Sequence, residues 1–344
     1  MKKYVKELLF TIAGIFSESP SSFNRLRLLS GARVTVPFYH AISDKPIPHL
    51  KHIIPCKTTG QFRDEVEFFS KNFTFITIPE LHDHLYNNAE LPPNPMIITF
   101  DDGLREFYDN AIPILDEFHA TAAVFVNSDF LDNRSLFYRH KASLLVEKIL
   151  SVANREQVNI LSNYFGYQMS PRQLIQKILS IDYLQRETLD HLALVMEIDF
   201  NAYLEATKPY LTSQNLEEII KKGYFIGGHS IDHPEYKQLT VEQQIDQTVQ
   251  SMNTIAARFP QPYRIFATPF LDAELSQQYF DAILPECVNI SFGINGVKQD
   301  SVPLNIKRFN MEGEQYFHAR RMLTAYYLVM VILKLFHLNK LQRD

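Results

Sequence analysis

Short apolar runs alternate with amphipathic stretches along most of this chain. Runs rich in β-branched residues predict strands buried on both faces, and apolar positions that repeat every three or four residues predict helices. We expect strands at 33–38, 74–78, 96–100, 121–126, 224–228, 264–268, 287–291 and 304–309. We expect helices at 59–71, after Pro79, from Asp109 or Asn110, at 213–222 and after Thr240. Such alternation indicates an α/β fold with a parallel sheet or barrel.

The alternation is interrupted between residues 135 and 210, where almost every signal is helical. Ser170 and Pro171, for example, form an N-cap and first-turn pair that begins a helix. We therefore divide the chain into an N-terminal helical segment (1–30), a (β/α) barrel in two parts (31–134 and 211–312), a helical insertion (135–210) and a C-terminal helix (313–344). The insertion is expected to cover one rim of the sheet.

Composition narrows the classes of function. The 344 residues are 46% hydrophobic and 21% charged, which is ordinary for a globular protein. A formal net charge of −5 and the lack of a long basic run give no reason to expect a nucleic-acid partner. The two cysteines, Cys56 and Cys287, could pair with each other, but they form no disulfide framework and leave the redox compartment open.

Both ends of the chain contain a short apolar stretch. Residues 8–16 follow a basic start and are similar to a signal-peptide core, but the cleavage site at 17–19 is a weak match. Residues 325–333 are too few to span a bilayer, which takes ~20 residues. A helix that is apolar nearly all round is usually buried, so a buried helix is favoured over a membrane-surface helix. We expect a cytoplasmic or membrane-peripheral protein rather than a secreted one, with peripheral membrane contact through a terminal helix left open.

Two strand ends carry candidate chemistry. Asp101 and Asp102 follow the predicted strand 96–100, where two adjacent desolvated carboxylates would require a cation, although an ordinary Asp-Asp-Gly surface turn is the alternative. His229 and His233 follow the predicted strand 224–228 with a spacing that brings two imidazoles to one side of a turn. Two histidines and one carboxylate would leave open positions on a divalent ion such as Zn²⁺, as hydrolytic sites do, and the second carboxylate could take a proton.

These residues resemble a known family. Thr99-Phe100-Asp101-Asp102-Gly103 with His229-Ser230-x-x-His233-Pro234 is similar to the first two motifs of the polysaccharide deacetylases, the NodB-homology carbohydrate esterases. The resemblance implies a distorted, incomplete (β/α) barrel with a helical insertion. It also implies a hydrolase in which metal-bound hydroxide attacks the acetamide of an N-acetylated amino sugar within a poly- or oligosaccharide.

The resemblance assigns roles to these positions. Asp101 would be the general base, and the metal ligands would be Asp102, His229 and His233, with Zn²⁺ as the expected ion. Ser230 would orient the histidine loop.

Two motifs depart from the family pattern. Where the family often has Arg-x-Pro-Tyr, this chain has Ala267 and Pro269, so the arginine that steadies the base is missing and Arg308 could substitute for it. The Leu-x-His motif that supplies the general acid has no match. In one branch of the family, a Tyr-His pair on the first strand takes that role, which nominates His40; a structural, hydrogen-bonded histidine is the alternative.

The roles of other residues near the site and two rival functions of the protein stay open. His49 could reach the site through its loop, and 138–140 could either face the cleft or simply begin a helix. The rival functions are an O-acetyl esterase or another amidase on the same fold, and a non-catalytic glycan-binding protein, which the missing arginine motivates.

Overall fold

A computed structural model describes residues 11–14, 16–17, 19–152, 155–294, 297–312 and 318–344, so residues 8–10 and 15 of the apolar N-terminal stretch lie outside the described part. The strands are β1 (Pro37–Tyr39), β2 (Thr74–Phe75), β3 (Pro95–Met96), β4 (Ile98–Phe100), β5 (Ala122–Val126), β6 (Phe225–Gly228), β7 (Ile265–Ala267), β8 (Ile290–Gly293), β9 (Gln299–Asp300), β10 (Asn305–Lys307), β11 (Phe309–Asn310) and β12 (Lys340–Leu341). The α-helices are α1 (Pro20–Ser30), α2 (Thr59–Asn72), α3 (Ile78–Asn87), α4 (Ile112–Glu117), α5 (Tyr138–Val152), α6 (Arg155–Tyr164), α7 (Pro171–Leu179), α8 (Glu187–Val195), α9 (Phe200–Thr207), α10 (Ser213–Lys221), α11 (Val241–Arg258), α12 (Gln277–Ile283) and α13 (Ala319–Leu335).

Eight strands form one sheet in the order β10-β8-β7-β6-β5-β4-β1-β11, with parallel pairing throughout. Only Arg308 separates β10 from β11, so one extended stretch pairs with β8 at one edge of the sheet and with β1 at the other. This stretch nearly closes the sheet into a barrel, around which the helices pack. The expected incomplete (β/α) barrel is confirmed.

Strand β5 illustrates why a continuous apolar run forms a strand here. All five of its residues are buried. Ala123 and Phe125 pack with Ile265 of β7 and Phe292 of β8, whereas Val124 belongs to the cluster that the surrounding helices complete. Both faces of the strand are therefore apolar, as parallel sheets covered by helices require.

Two expectations about strands are wrong, and a question that the sequence left open about the cysteines is answered. The strand expected at 74–78 consists only of β2, which pairs with β3 outside the barrel, because Thr77 already caps helix α3. The strand expected at 287–291 begins at Ile290 instead. Cys56 and Cys287 are free thiols, so the pairing that the sequence left open does not occur.

The helix expected to begin at Asp109 or Asn110 begins earlier. The backbone is already helical at Glu106, and a π-helix at Phe107–Ala111 continues directly into α4. Neither predicted cap therefore lies at a helix start. The side chain of Asn110 instead donates a hydrogen bond to the backbone carbonyl of Ile42 (2.8 Å).

Helices α5 to α9 form an apolar cluster of their own beside the barrel. Leu145, Leu174 and Leu189 in these helices are fully buried, and the cluster also includes Leu104 and Tyr210. Leu104 pairs with Tyr210 in an isolated antiparallel bridge. The helical region is thereby joined to the barrel just after Asp102. Its status as an insertion, and the division of the chain around it, stay predictions.

Helix α13 contains the apolar stretch 325–333 and packs against α1. The hydroxyl of Tyr327 hydrogen-bonds to Thr35 (2.7 Å), and its ring centroid lies 5.8 Å from that of Phe23 in α1. Residues 328–333 are only half-buried. Across the described residues, no helix combines the length and the apolar character that crossing a membrane requires.

Candidate metal centre

Three side chains from distant parts of the sequence meet at the carboxyl ends of the barrel strands. Asp102 follows β4, and His229 and His233 follow β6. The Oδ1 atom of Asp102 lies 3.4 Å from Nε2 of His229 and 3.1 Å from Nε2 of His233. One potential ligand atom from each residue lies within 4.8 Å of the other two, and all three side chains are buried. The sequence-predicted ligands are therefore brought together.

The turn after β4 depends on two residues with left-handed backbone. The φ angle is 69° at Asp102 and 63° at Gly103. A Cβ atom at position 103 would lie 2.9 Å from Cγ1 of Val126, so only glycine fits without displacing β5. The turn directs Asp102 to the two histidines and leaves Asp101 to a different partner.

The histidine loop is held by Ser230, whose φ angle is 72°. Its hydroxyl oxygen accepts hydrogen bonds from the backbone N–H of His233 (3.0 Å) and from Nδ2 of Asn127 (3.2 Å). Its carbonyl accepts one from the Ser251 hydroxyl (2.9 Å). These contacts are the ones that an orienting role for Ser230 would need. Sequence reasoning missed Asn127, although it directly follows strand β5 and so carries the same strand-end signal as Asp101.

Asp102 Oδ1 and His229 Nε2 face each other as acceptors. His229 Nδ1 lies 2.7 Å from the carbonyl oxygen of Ala267 and donates its proton there, which leaves Nε2 with a lone pair toward Asp102. Asp102 Oδ1 is buried and has no hydrogen-bond donor among the described residues. A carboxylate oxygen between two imidazole nitrogens is the donor set that binds Zn²⁺ and similar divalent ions, so these residues fit a metal.

Electrostatics favour the metal-binding protonation states of Asp102 and His233. Burial would raise the pKa of Asp102, but His233 and His229 outweigh it and hold that pKa well below its usual value. Burial lowers the pKa of His233, which favours the neutral imidazole. An ionised carboxylate and neutral imidazoles are the forms that coordinate metals.

Asp101 forms a buried ion pair with Arg308. The guanidinium donates from Nη1 to Oδ1 (2.6 Å) and from Nη2 to Oδ2 (2.9 Å). Burial would raise the pKa of Asp101, but the charge of Arg308 outweighs it and lowers that pKa. Arg308 also lies against the rings of Phe38 and Phe125, with Cζ 4.8 and 5.3 Å from their centroids. The structure thus places Arg308 beside the predicted base, where the sequence suggested that it could substitute for the missing arginine.

His40 pairs with Glu312, an acid that sequence reasoning missed. His40 Nδ1 lies 2.5 Å from Oε2 of Glu312, and Oε1 of Glu312 accepts the backbone N–H of His40 (2.8 Å). Burial would lower the pKa of His40, but Glu312 outweighs it, with Asp102 and Asp101 adding to the effect, and the pKa rises to about 9. Glu312 lies just past β11, so its place at a strand end was the available signal.

Pro269 and Phe270 follow β7 at the position of the family's third motif. Pro269 is buried, and its role stays a prediction. Phe270 has a φ angle of 53°, and its ring centroid lies 4.7 Å from that of His233. The Arg139 guanidinium lies over the same ring, with Cζ 4.9 Å from its centroid. The Phe270 ring therefore covers one side of His233.

His49 and His140 lie together behind the metal centre rather than in it. Both are fully buried, and their ring centroids are 4.9 Å apart. His49 Nδ1 pairs with the hydroxyl of Tyr203 (2.8 Å) and His140 Nδ1 with that of Tyr210 (2.7 Å). Phe137 separates His140 from the ligand His233, with ring centroids at 5.0 and 4.4 Å. Residues 138–140 do begin a helix, as one of the two sequence alternatives had it.

The fold and the cluster together define an α/β barrel with a buried two-histidine, one-carboxylate centre at its strand ends. The sequence profile of the polysaccharide deacetylase family matches residues 88–280, more than half of the chain. The chain therefore belongs to the polysaccharide deacetylase family, which confirms the resemblance and implies a hydrolase acting on carbohydrate. No curated protein sequence matches the chain significantly.

Solved structures of deacetylases share the fold at low sequence identity. A Streptococcus pyogenes deacetylase, PplD, in complex with acetate has a TM-score of 0.55 and 13% identity, over 85% of this chain and 97% of that one. IcaB from Ammonifex degensii has a TM-score of 0.52 and 13% identity, over 86% and 96%. A de-N-acetylase from Aggregatibacter actinomycetemcomitans has a TM-score of 0.51 and 13% identity, over 83% and 97%.

Proposed function

We propose that this protein is a zinc-dependent hydrolase that removes N-acetyl groups from amino sugars within a poly- or oligosaccharide. The observation that carries the proposal is the convergence of Asp102, His229 and His233 beside the Asp101–Arg308 ion pair. The three candidate ligands bind a divalent ion, and the residues beside them transfer protons. Amide hydrolysis requires both.

Asp102, His229 and His233 are the residues that would hold the ion. A bound divalent cation supplies Lewis-acid polarisation of a carbonyl oxygen and lowers the pKa of water. Zn²⁺ is proposed because imidazole nitrogen and carboxylate oxygen are its usual ligands in hydrolytic sites.

Asp101 and His40 would divide the proton transfers. Asp101 accepts a proton from the water that attacks the acetamide carbon, and Arg308 keeps Asp101 ionised for this step. His40 donates a proton to the amine nitrogen as the C–N bond breaks, and Glu312 keeps His40 protonated. Acetate and a free amino sugar are the products.

N-deacetylation is preferred to the other reactions of this fold for two reasons. A neighbour of similar fold is described as a de-N-acetylase. A protonated His40 also suits an amine leaving group, which must gain a proton before it departs. A non-catalytic glycan-binding protein would have no use for three ligands, a base and an acid in one place.

Metal analysis with activity assays tests the proposal. The purified chain should hold a stoichiometric divalent ion by mass spectrometry, and Asp102→Ala should lose the ion together with about a thousandfold or more of the activity. Acetate release from N-acetylated and from O-acetylated oligosaccharides, assayed in parallel, separates the amidase from the esterase. A metal-free wild-type chain, or an Asp102→Ala variant with unchanged metal content, would contradict the proposal.

A further inference from the structure

The ends of helices α1 and α13 present large apolar side chains to solvent. We define the terminal-helix surface as the side chains that are between 59% and 72% exposed at these ends: Leu28, Leu29, Leu335, Phe336 and Leu338. Single exposed leucines are common, but large apolar side chains gathered in one place mark an interaction surface.

The two helix ends lie next to each other. Lys334 Nζ lies 3.4 Å from the carbonyl oxygen of Leu29, and it lies 3.8 Å from where a Cβ atom on Gly31 would be. Lys334 directly precedes Leu335 and Phe336. The exposed leucines of α1 and the exposed residues of α13 therefore belong to one surface.

The charge of this region is opposite to that of the chain. Neither α1 nor α13 contains an aspartate or a glutamate; Arg25, Arg27 and Lys334 lie near the ends that form the surface, and Arg320 and Arg321 lie in the first turn of α13, at its other end. The whole chain has a net charge of −5. Arg25 is exposed and lies one turn before Leu28 and Leu29, so cations flank the apolar side chains directly.

We propose that the terminal-helix surface docks onto an anionic lipid bilayer. Apolar side chains bordered by cations are what a protein inserts at a lipid headgroup layer, where the cations meet anionic lipids. A second copy of this chain is a poorer occupant, because a symmetric contact would bring the same basic side chains together. The half-buried apolar run at 328–333 extends the surface along α13.

Docking would leave the metal centre accessible. Gly31 is close in sequence to Thr35, which pairs with Met96 ahead of β4, so the surface lies toward the side where the strands begin. Asp102 lies past the opposite end of β4. The bilayer and a glycan substrate would thus occupy different sides of the barrel.

Co-sedimentation of the full chain with vesicles tests this inference. Binding to vesicles that contain phosphatidylglycerol should exceed binding to pure phosphatidylcholine vesicles and should weaken with salt. Combined Leu335→Ser and Phe336→Ser should weaken binding about tenfold or more. Arg25→Gln and Lys334→Gln should each weaken it about fivefold.

Matched controls come from the same chain. Leu184 and Leu194 are 64% and 76% exposed elsewhere, so Leu184→Ser with Leu194→Ser should leave vesicle binding unchanged. Lys45→Gln with Lys221→Gln is the matched control for charge, since both lysines are exposed. Circular dichroism should show that all variants are folded. Equal loss of binding in variants and controls, no binding by the wild type, or a dimer by light scattering that only the Leu335 and Phe336 changes dissociate would overturn the proposal.

Discussion

The two sides of the candidate site satisfy their charges in opposite ways. On the metal side, the acceptors Asp102 Oδ1 and His229 Nε2 face each other across 3.4 Å, and His233 Nε2 lies 3.1 Å from the same oxygen. On the proton-transfer side, each charged group has a partner of opposite sign: Asp101 has Arg308, and His40 has Glu312. A protein tolerates facing acceptors in its interior only where a cation joins them.

This difference in partners explains how the adjacent residues Asp101 and Asp102 could have different roles, one as a base and the other as a metal ligand. Burial would raise the pKa of both, and different neighbours lower both instead: Arg308 for Asp101, and the imidazoles of His233 and His229 for Asp102. Among the described residues, the groups that lower the pKa of Asp102 are imidazoles, and a metal ion can replace them as the balancing charge, so Asp102 is free to become a ligand. Asp101 already has a permanent guanidinium, so it needs no ion and keeps its remaining lone pairs for a proton.

The largest expected effect is the loss of activity in Asp101→Asn, which tests whether the two sides of the site act separately. The amide keeps the size of the side chain but cannot accept a proton, so activity should fall by roughly a hundredfold to ten-thousandfold. Metal content should stay at the wild-type level, because Asp101 is on the other side of the site. Acetate release and metal analysis on the same preparation check both parts. An active variant would remove Asp101 from the role of base, and a metal-free one would make it a ligand.

The sequence was informative wherever a motif sat at a strand end. Strands of a parallel barrel all point the same way, so residues that follow them gather at one rim whatever their separation in the chain. That rule was enough to bring Asp102, His229 and His233 together, whereas Arg308 was nominated as a substitute for the arginine that the third family motif lacks here. Local signals worked as well: the N-caps predicted at Thr240 and Ser170 both form.

Features that depend on packing between distant elements could not be predicted. Glu312 has the strand-end signal, but nothing in the sequence shows that β11 pairs with β1, which is what brings Glu312 to His40, 272 residues away. The contact between His49 and His140 depends on how the helical region folds over the barrel, which no spacing encodes. The early start of the helix around Asp109 reflects a π-helix, a geometry with no propensity signature of its own.

A somewhat smaller effect, on stability, is expected from Arg308→Gln. The change leaves Asp101 buried without its cation, which should lower the free energy of unfolding by about 3–5 kcal/mol. Adding Asp101→Asn removes the orphaned charge and should restore part of that loss. Urea unfolding of the two single variants and the double variant measures this coupling. Strictly additive losses would show that the ion pair does not connect the two residues energetically.

The smallest effect, and the one that probes the proton-transfer side most finely, is expected from Glu312→Gln. The wild-type pKa of about 9 means that His40 stays protonated through neutral pH. Because this folded-state value lies above the unfolded one of about 6.5, the pair stabilises the protein fully below about pH 6.5 and loses that contribution as the pH rises through about 9. Glu312→Gln should remove this pH-dependent stability, up to about 3 kcal/mol, and shift the alkaline limb of the pH–rate profile to lower pH.

A second histidine–glutamate pair serves as a control, because it separates the predicted shift of the pH–rate profile from the effect of simply removing one negative charge. His52 pairs with Glu147 at the surface, away from the metal ligands, so Glu147→Gln removes the same kind of contact without touching His40. Its pH–rate profile should match that of the wild type. If Glu312→Gln alone moves the alkaline limb, a protonated His40 takes part in catalysis; if only the pH dependence of unfolding moves, His40 is the structural histidine that the sequence left as the alternative. The test thus decides between the two interpretations of His40 by a readout that loss of stability alone could not produce.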